Sequence, residues 1–281
     1  MDIIVACPGR LLDHLQSGKV DLYMLDTLVL DEADHMFDMG FLPTIRKILK
    51  HAHRRKQTLL FSATMPKDIL SLANETLRNP VKIEINVLDK LSTIKHMLYP
   101  VPQHLKTDLL FQILRSTDTK SILIFTRTKH RAKSLDLKLQ RNGYKATSLQ
   151  GNLSQNRRQE AIDGFRKGVY QIMVATDIAA RGIDISLVSH VINYDIPDTP
   201  DTYTHRIGRT GRAERSGDAF TFVSQEDESQ VTLIERKLGE KIERCKIEGF
   251  NYKKSNQVNE FARPPFKKQT STHKKVVNYQ K

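Results

Sequence analysis

Apolar residues along this chain fall in short runs separated by helical patterns. Before residue 85, the runs at 3–6, 25–30, 58–61 and 81–85 have strand length and strand composition. Residues 42–51 and 68–77 read as helices, the second stopped by Asn79-Pro80, and Pro8-Gly9-Arg10 turns into an amphipathic segment. Residues 86–104 are less regular, carry Pro100 and Pro102, and read as a linker. A second alternating series starts near Leu105, with strands expected at 121–125, 146–149, 172–175, 188–193 and 219–223. A helix over 129–142 puts Ala132, Leu135 and Leu139 on one face and stops at Gly143. The next helix starts at the N-cap Ser154, turns Ala161, Ile162 and Phe165 inward and stops at Gly168, and 226–238 reads as a closing helix.

Strands alternating with helices in this way predict the α/β class with parallel sheets. Two successive units are expected, at 1–85 and 105–248, joined by the linker 86–104. After about residue 248 the periodicity disappears and Lys, Asn, Gln, Ser and Thr dominate, which predicts a disordered tail over 249–281.

A length of 281 residues allows two domains with a core each. Their 39% hydrophobic and 27% charged content is that of a soluble globular chain. No apolar run approaches the roughly 20 residues of a membrane span, and a start with Asp2 and no basic lead-in does not read as a secretory signal. Cys7 and Cys245 stand in unrelated contexts, so a reducing, cytoplasmic setting is expected, without disulfide or metal scaffolding. The net charge of +13 is uneven: the last 33 residues hold eight Lys and Arg against Glu260 alone. Such a balance points to a polyanion, most often a nucleic acid. Phe250, Tyr252, Phe261, Phe266 and Tyr279 interleave with those cations and offer stacking faces beside them. A merely solubilising extension has the same composition.

Leu28-Val29-Leu30-Asp31-Glu32-Ala33-Asp34 is an apolar strand ending in acid. Ligands of open α/β sheets bind outside the carboxyl ends of strands, where Asp31 and Glu32 would stand. A carboxylate there can hold Mg²⁺ through water beside nucleotide phosphates, and its neighbour can orient and deprotonate a water. Read alone, the segment is equally an acidic surface turn. Ser62-Ala63-Thr64 follows the next strand and should emerge at the same edge, where its hydroxyls can bond Asp34; by itself it is an ordinary strand-end turn. His205-Arg206-Ile207-Gly208-Arg209-Thr210-Gly211-Arg212 gathers three arginines, a histidine and two glycines, a composition suited to phosphate but also found in solvated basic loops. Thr176-Asp177-Ile178-Ala179-Ala180-Arg181-Gly182-Ile183-Asp184 follows another apolar strand; Thr176 and Arg181 could meet a sugar–phosphate backbone and Asp184 a ribose hydroxyl.

In this order the segments resemble the DEAD-box ATP-dependent RNA helicases, and their bacterial RhlE-like branch in particular. Asp31–Asp34 matches motif II of that family, Ser62–Thr64 motif III, Thr176–Asp184 motif V and His205–Arg212 motif VI. Pro8-Gly9-Arg10 matches motif Ib, residues 122–128 match motif IV, and Gln155 with Arg158 matches its QxxR companion. The resemblance covers about residues 1–248.

It implies two RecA-like parallel-sheet domains, the first incomplete, with ATP and Mg²⁺ in the cleft between them and RNA lying across both. RNA would be held through phosphates and 2′-hydroxyls, with little dependence on sequence. By the same resemblance Asp31 serves Mg²⁺, Glu32 activates water, Arg209 and Arg212 reach the γ-phosphate, and Gly182 and Asp184 line the nucleotide. Asp34, Ser62, Thr64 and His205 couple the halves. Pro8, Gly9, Arg10, Thr126, Gly151, Gln155, Arg158, Thr176 and Arg181 lie along the RNA. A monomer, with its basic tail tethering RNA, is expected.

The family's glutamine motif and phosphate loop, G-x-x-x-x-G-K-[ST], are not in this sequence: Gly18-Lys19 is followed by Val20, and Asp13 stands where the first glycine should be. Without that backbone cradle and lysine, weak ATP binding is expected. So is a first unit less stable than the second, with unpaired backbone and open apolar faces. The alternatives are an ATP-independent RNA-binding module and a piece that docks with a separate N-terminal half.

Overall fold

The computed structural model describes residues 2–84, 94–117, 120–180, 183, 185, 188–211 and 217–254. In the first unit, β1 (Thr27–Leu30) and β2 (Gln57–Leu60) pair in parallel, from Thr27 opposite Gln57 to Leu30 opposite Leu60. Among the described residues four helices accompany them: α1 (Pro8–Gln16), α2 (Ala33–Asp38), α3 (Leu42–His51) and α4 (Lys67–Thr76). The α3 bounds are those the sequence predicts; Pro43 sits in its first turn and Ile45 and Ile48 face inward. Leu30, Leu28 and Leu60 meet Ile45, Leu49 and Leu72 on one side of the strand pair, while α1 packs on α3 through Leu15, Ile48 and Ala52. The other side is open: Val29 is 50% exposed and Phe61 54%.

Two expected strands do not form. Residues 3–6 and 81–84 have no regular structure, and Val5 and Val81 are almost fully exposed; residue 85 lies outside the described residues. Apolar, β-branched composition favours a strand only where a neighbour completes its hydrogen-bond ladder, and neither segment has one.

The second unit carries a seven-stranded, all-parallel sheet. Its elements are β3 (Ile94–Pro100), α5 (Lys106–Ser116), β4 (Ile122–Phe125), α6 (Lys129–Arg141), β5 (Ala146–Leu149), α7 (Gln155–Arg166), β6 (Ile172–Ala175), α8 (Asp177–Ala180), β7 (His190–Asn193), α9 (Pro200–Ile207), β8 (Gly217–Val223), α10 (Glu228–Leu238) and β9 (Glu243–Arg244). The strand order is β5-β6-β4-β7-β8-β3-β9. Every residue of β4, β6 and β7 is buried, as both-face coverage requires. Leu109, Leu110, Ile113, Leu135 and Leu139 of α5 and α6 pack on Ile122, Ile124, Ile172 and Val174. On the opposite face Ala161, Phe165, Tyr203, Ile207, Val231 and Ile234 meet Leu123, Phe125, Met173 and Val191. The helix starts and stops follow the sequence: Thr128 and Ser154 accept from the backbone N–H groups of Arg131 and Arg157 at 3.2 and 3.4 Å. Gly143 and Gly168 end α6 and α7 with φ of 83° and 75°.

The linker expected at 86–104 needs correction. Its second half is β3, which pairs with β8 from Ile94–Gly217 to Pro100–Val223 and with β9 on its other side. Lys95, His96 and the prolines disguise the run, but Pro100 is the last strand residue, and the ladder continues with Val101 N–H donating to Val223 at 2.8 Å. The tail also begins later than expected. Phe250 and Tyr252 pack against the cluster under α5, His104 Nε2 lies 2.9 Å from the Lys254 carbonyl, and Lys254 Nζ donates to Asp108 at 3.1 Å. Residues 255–281, with the rest of the expected tail, lie outside the described residues. Among the described residues no helix is long and apolar enough to cross a membrane.

Candidate functional site

Parallel pairing aligns the carboxyl ends of β1 and β2, and the turns leaving those ends are tied together. Phe61 N–H donates to Leu30 at 2.8 Å and Ala33 N–H to Phe61 at 3.0 Å. Asp34, buried at the start of α2, accepts from Thr64 N–H at 3.0 Å and Thr64 Oγ1 at 2.9 Å through Oδ2, and from His35 N–H at 3.0 Å through Oδ1. Ser62 Oγ donates to the Thr64 carbonyl at 2.6 Å and accepts from Asp34 N–H at 3.2 Å. The acidic end of one strand is thereby fixed to the hydroxyl end of the next.

Between them Asp31 and Glu32 remain exposed. Glu32 takes the left-handed conformation, φ 51°, which a side chain with Cβ rarely adopts, and this turns the chain sharply from β1 into α2. Its N–H donates to Asp31 Oδ1 at 2.9 Å, and its Oε2 lies 3.0 Å from His35 Nδ1. Among the described residues the buried His35 Nε2 has no hydrogen-bond partner, so the tautomer with Nδ1–H donating to Glu32 leaves no orphaned N–H. No three His, Cys, Asp or Glu side chains gather as a metal site among the described residues. A lone exposed carboxylate such as Asp31 fits Mg²⁺ that arrives with water and phosphate oxygens. Pro8, Gly9 and Arg10 form the first turn of α1, with Arg10 exposed.

In the second unit the rows Leu149–Ala175 and Phe125–Ala175 are in register, so Gln150, Thr176 and Thr126 follow side by side at the rim of β5, β6 and β4. Thr126 N–H donates to Ala175 at 2.9 Å and Thr176 N–H to Leu149 at 3.4 Å, carrying the ladder one residue past the strands. Gly151 is the next residue after Gln150, and Gln155 and Arg158 sit in the first turn of α7. Arg158 Nη2 donates to the Ala179 carbonyl at 3.2 Å, joining α7 to α8. The structure thus brings Thr126, Gly151, Gln155, Arg158 and Thr176 to one edge. That edge is positive: the first turns of α6 and α7 hold no acid and five basic side chains, Lys129, His130, Arg131, Arg157 and Arg158. The helix dipole disfavours cations there, so the arrangement suits an external anion.

Arg206 is not a ligand group. Only 3% exposed, it forks onto Asp177 at 2.7 and 2.8 Å and donates to Asn193 Oδ1 at 3.1 Å and the Asp195 carbonyl at 2.7 Å. Asp195 in turn accepts from Arg127 N–H at 2.8 Å and pairs with Arg131. This hub, joining α8, the end of β7, α6 and α9, escapes a reading that treats every arginine of the segment as phosphate-seeking. The available signal is acids and an amide at or just past strand ends, Asp177, Asn193 and Asp195, which a buried guanidinium can satisfy. Its neighbours His205 and Arg209 stand closer to the surface; Arg209 Nη1 donates to the Ile183 carbonyl at 3.0 Å. Thr210 Oγ1 donates to Val188 at 2.6 Å, and a Cβ on Gly217 would come within 2.1 Å of that oxygen, so the loop is seated where only glycine fits. Arg181, Gly182, Asp184 and Arg212 lie outside the described residues.

Residues 1–72 match the family model described as DEAD/DEAH box helicase, and residues 105–214 match helicase conserved C-terminal domain. The chain is 42% identical over 244 residues to ATP-dependent RNA helicase RhlB of Pseudomonas syringae, covering 86% of this chain and 62% of that protein. It is 42% identical over 245 residues to DEAD-box ATP-dependent RNA helicase CshA of Geobacillus kaustophilus, covering 87% and 52%. This sequence therefore spans between about half and three fifths of the length of those relatives. Among solved structures, Saccharomyces cerevisiae Dbp5 bound to RNA and ADP BeF3 is 32% identical with a TM-score of 0.79, over 86% of this chain and 65% of that one. Escherichia coli SrmB bound to regulator of ribonuclease activity A is 37% identical with a TM-score of 0.55, over 58% of this chain and 96% of that one.

Proposed function

This chain belongs to the DEAD-box helicase family, and on that premise we propose that it acts as an ATP-dependent RNA helicase that remodels or locally unwinds duplexes. The observation that carries the reading is the Asp34–Ser62–Thr64 link, which gives the acidic strand end a mechanical connection to its neighbour. In this reading Asp31 holds Mg²⁺, which neutralises phosphate charge when bound. Glu32 orients and deprotonates the attacking water, with His35 steadying its carboxylate. Arg209 and Arg212 face the γ-phosphate, and Gly182 and Asp184 line the nucleotide. His205 works with Asp34, Ser62 and Thr64 in coupling. RNA runs along Pro8, Gly9 and Arg10 and along Thr126, Gly151, Gln155, Arg158, Thr176 and Arg181, and the basic tail tethers it. We place the protein in the cytoplasm, as a monomer. The RhlE-like branch is part of the proposal; the relatives named above are RhlB and CshA.

A second reading is favoured by the sequence itself, which holds no phosphate-loop motif. These 281 residues then bind RNA without appreciable hydrolysis, or hydrolyse ATP only beside a separate N-terminal half. The experiment measures RNA binding against salt together with RNA-stimulated phosphate release. We expect binding that weakens steeply with salt. Phosphate release abolished by Glu32→Gln establishes the helicase reading for these residues. Binding without release establishes the RNA-binding module. Release only after adding a separately produced segment with the phosphate loop establishes docking. Failure to bind RNA overturns all three.

A further inference from the structure

Beyond its first turn, the outward face of α6 has no part in the site described above. Lys133, Lys138 and Arg141, with His130 and Ser134, line a shallow depression of about 260 Å³ around Leu137, which is 43% exposed. No ion pair joins Lys133, Lys138 or Arg141 to an acid among the described residues. The helix has one acid, Asp136, and it is turned inward: 8% exposed, bonded by Gln140 at 2.8 Å, its carboxyl pushed up by burial. The positive face is therefore left without compensation. Its upper end begins at the rim already described, where Lys129 Nζ donates at 3.0 Å to Asn152, the residue after Gly151. The first turn adds a second argument, because Lys129 opposes the helix dipole there while Arg131 is held by Asp195.

We propose that this face is an auxiliary track for the phosphates of the RNA strand flanking the core path, running from Lys129 down to Arg141. The proposal rests on the RNA-binding reading above and deepens it. Thirteen residues of helix extend the positive surface by about 20 Å from the rim. Side chains on mobile aliphatic stems suit a backbone whose bases are not read, so the track adds affinity without sequence preference. Leu137 offers a small apolar seat among them.

The test replaces Lys133→Gln, Lys138→Gln and Arg141→Gln together in the 281-residue chain and compares two single-stranded RNAs, one of about 6 nucleotides and one of about 20. All three side chains are exposed, so the melting temperature should be unchanged, which the same samples verify. We expect the short strand to bind both proteins alike. The long strand should bind the variant roughly tenfold more weakly, with a salt slope smaller by about 2. Equal loss on both strands, or an unchanged salt slope, overturns the track. So does undiminished binding of the long strand, which leaves the face to an acidic protein partner or to plain solvation. If neither strand binds the unsubstituted chain, the RNA-binding reading falls and takes this inference with it.

Discussion

Val29 and Leu123 are both apolar residues inside parallel strands, yet Val29 is 50% exposed and Leu123 is 1% exposed. The second unit buries β4, β6 and β7 between two helical layers, whereas β1 and β2 are covered on one face and meet water with Val29 and Phe61. Strand composition is comparable in the two; what differs is coverage. For a parallel pair, burial against helices supplies most of the stability, and two strands with a single covered face are marginal. Asp31 and Glu32 thus belong to the unit with the smaller covered core and the basic rim to the one with the larger.

The largest expected effect of that contrast is in native-state proteolysis. Cleavage should fall first within residues 2–84 and leave a resistant fragment containing 94–254, because local opening is easiest where few apolar contacts hold. First cuts inside the second unit, located by mass spectrometry, would reverse the ranking. Next in size is the arginine hub. Arg206→Ala strips Asp177, Asn193 and the Asp195 carbonyl of their partner and should lower the stability of the second unit by about 3–5 kcal/mol in urea unfolding followed by circular dichroism. Arg206→Lys should recover little of it, since an ammonium cannot reproduce the fork.

The smallest effect concerns pH. Burial pushes the Glu235 carboxyl up, but Arg244, Lys241 and the Ile242 N–H outweigh it and hold it near 2. A carboxyl depressed in the folded state contributes stability that is complete above its unfolded pKa of about 4.3 and is lost as pH falls toward 2. The contribution should be about 2 kcal/mol, less than the full shift implies because Lys241 and part of Arg244 stand in water. Glu235→Gln should flatten that acid limb, and a variant with an unaltered limb would show that other carboxyls carry it.

The alternation of strands and helices is legible in the sequence, and β1, β4 and β6 run straight into the acid or hydroxyl that marks their ends, Asp31, Thr126 and Thr176. Residues 146–149 and 172–175 emerge with the bounds the pattern predicts. The misreadings share one physical origin. Pairing is not written in a segment's own residues: 3–6 is apolar and finds no ladder, while Ile94–Pro100 is interrupted by Lys95 and His96 and finds two. Arg206 is obscured for a similar reason. A guanidinium aimed inward and one aimed at phosphate have the same letter, and only the positions of Asp177, Asn193 and Asp195 separate them.

The position of β3 has a consequence for synthesis on the ribosome. Ile94 is made early, yet its partner Gly217 emerges more than a hundred residues later, and Glu243 later still. Until then the backbone of β3 has no strand to pair with, although Met97 and Tyr99 can already meet the leucines of α5. Nascent chains stalled before Val223 should remain open to proteases and to chaperones, and closure of the sheet should coincide with release of its final strands.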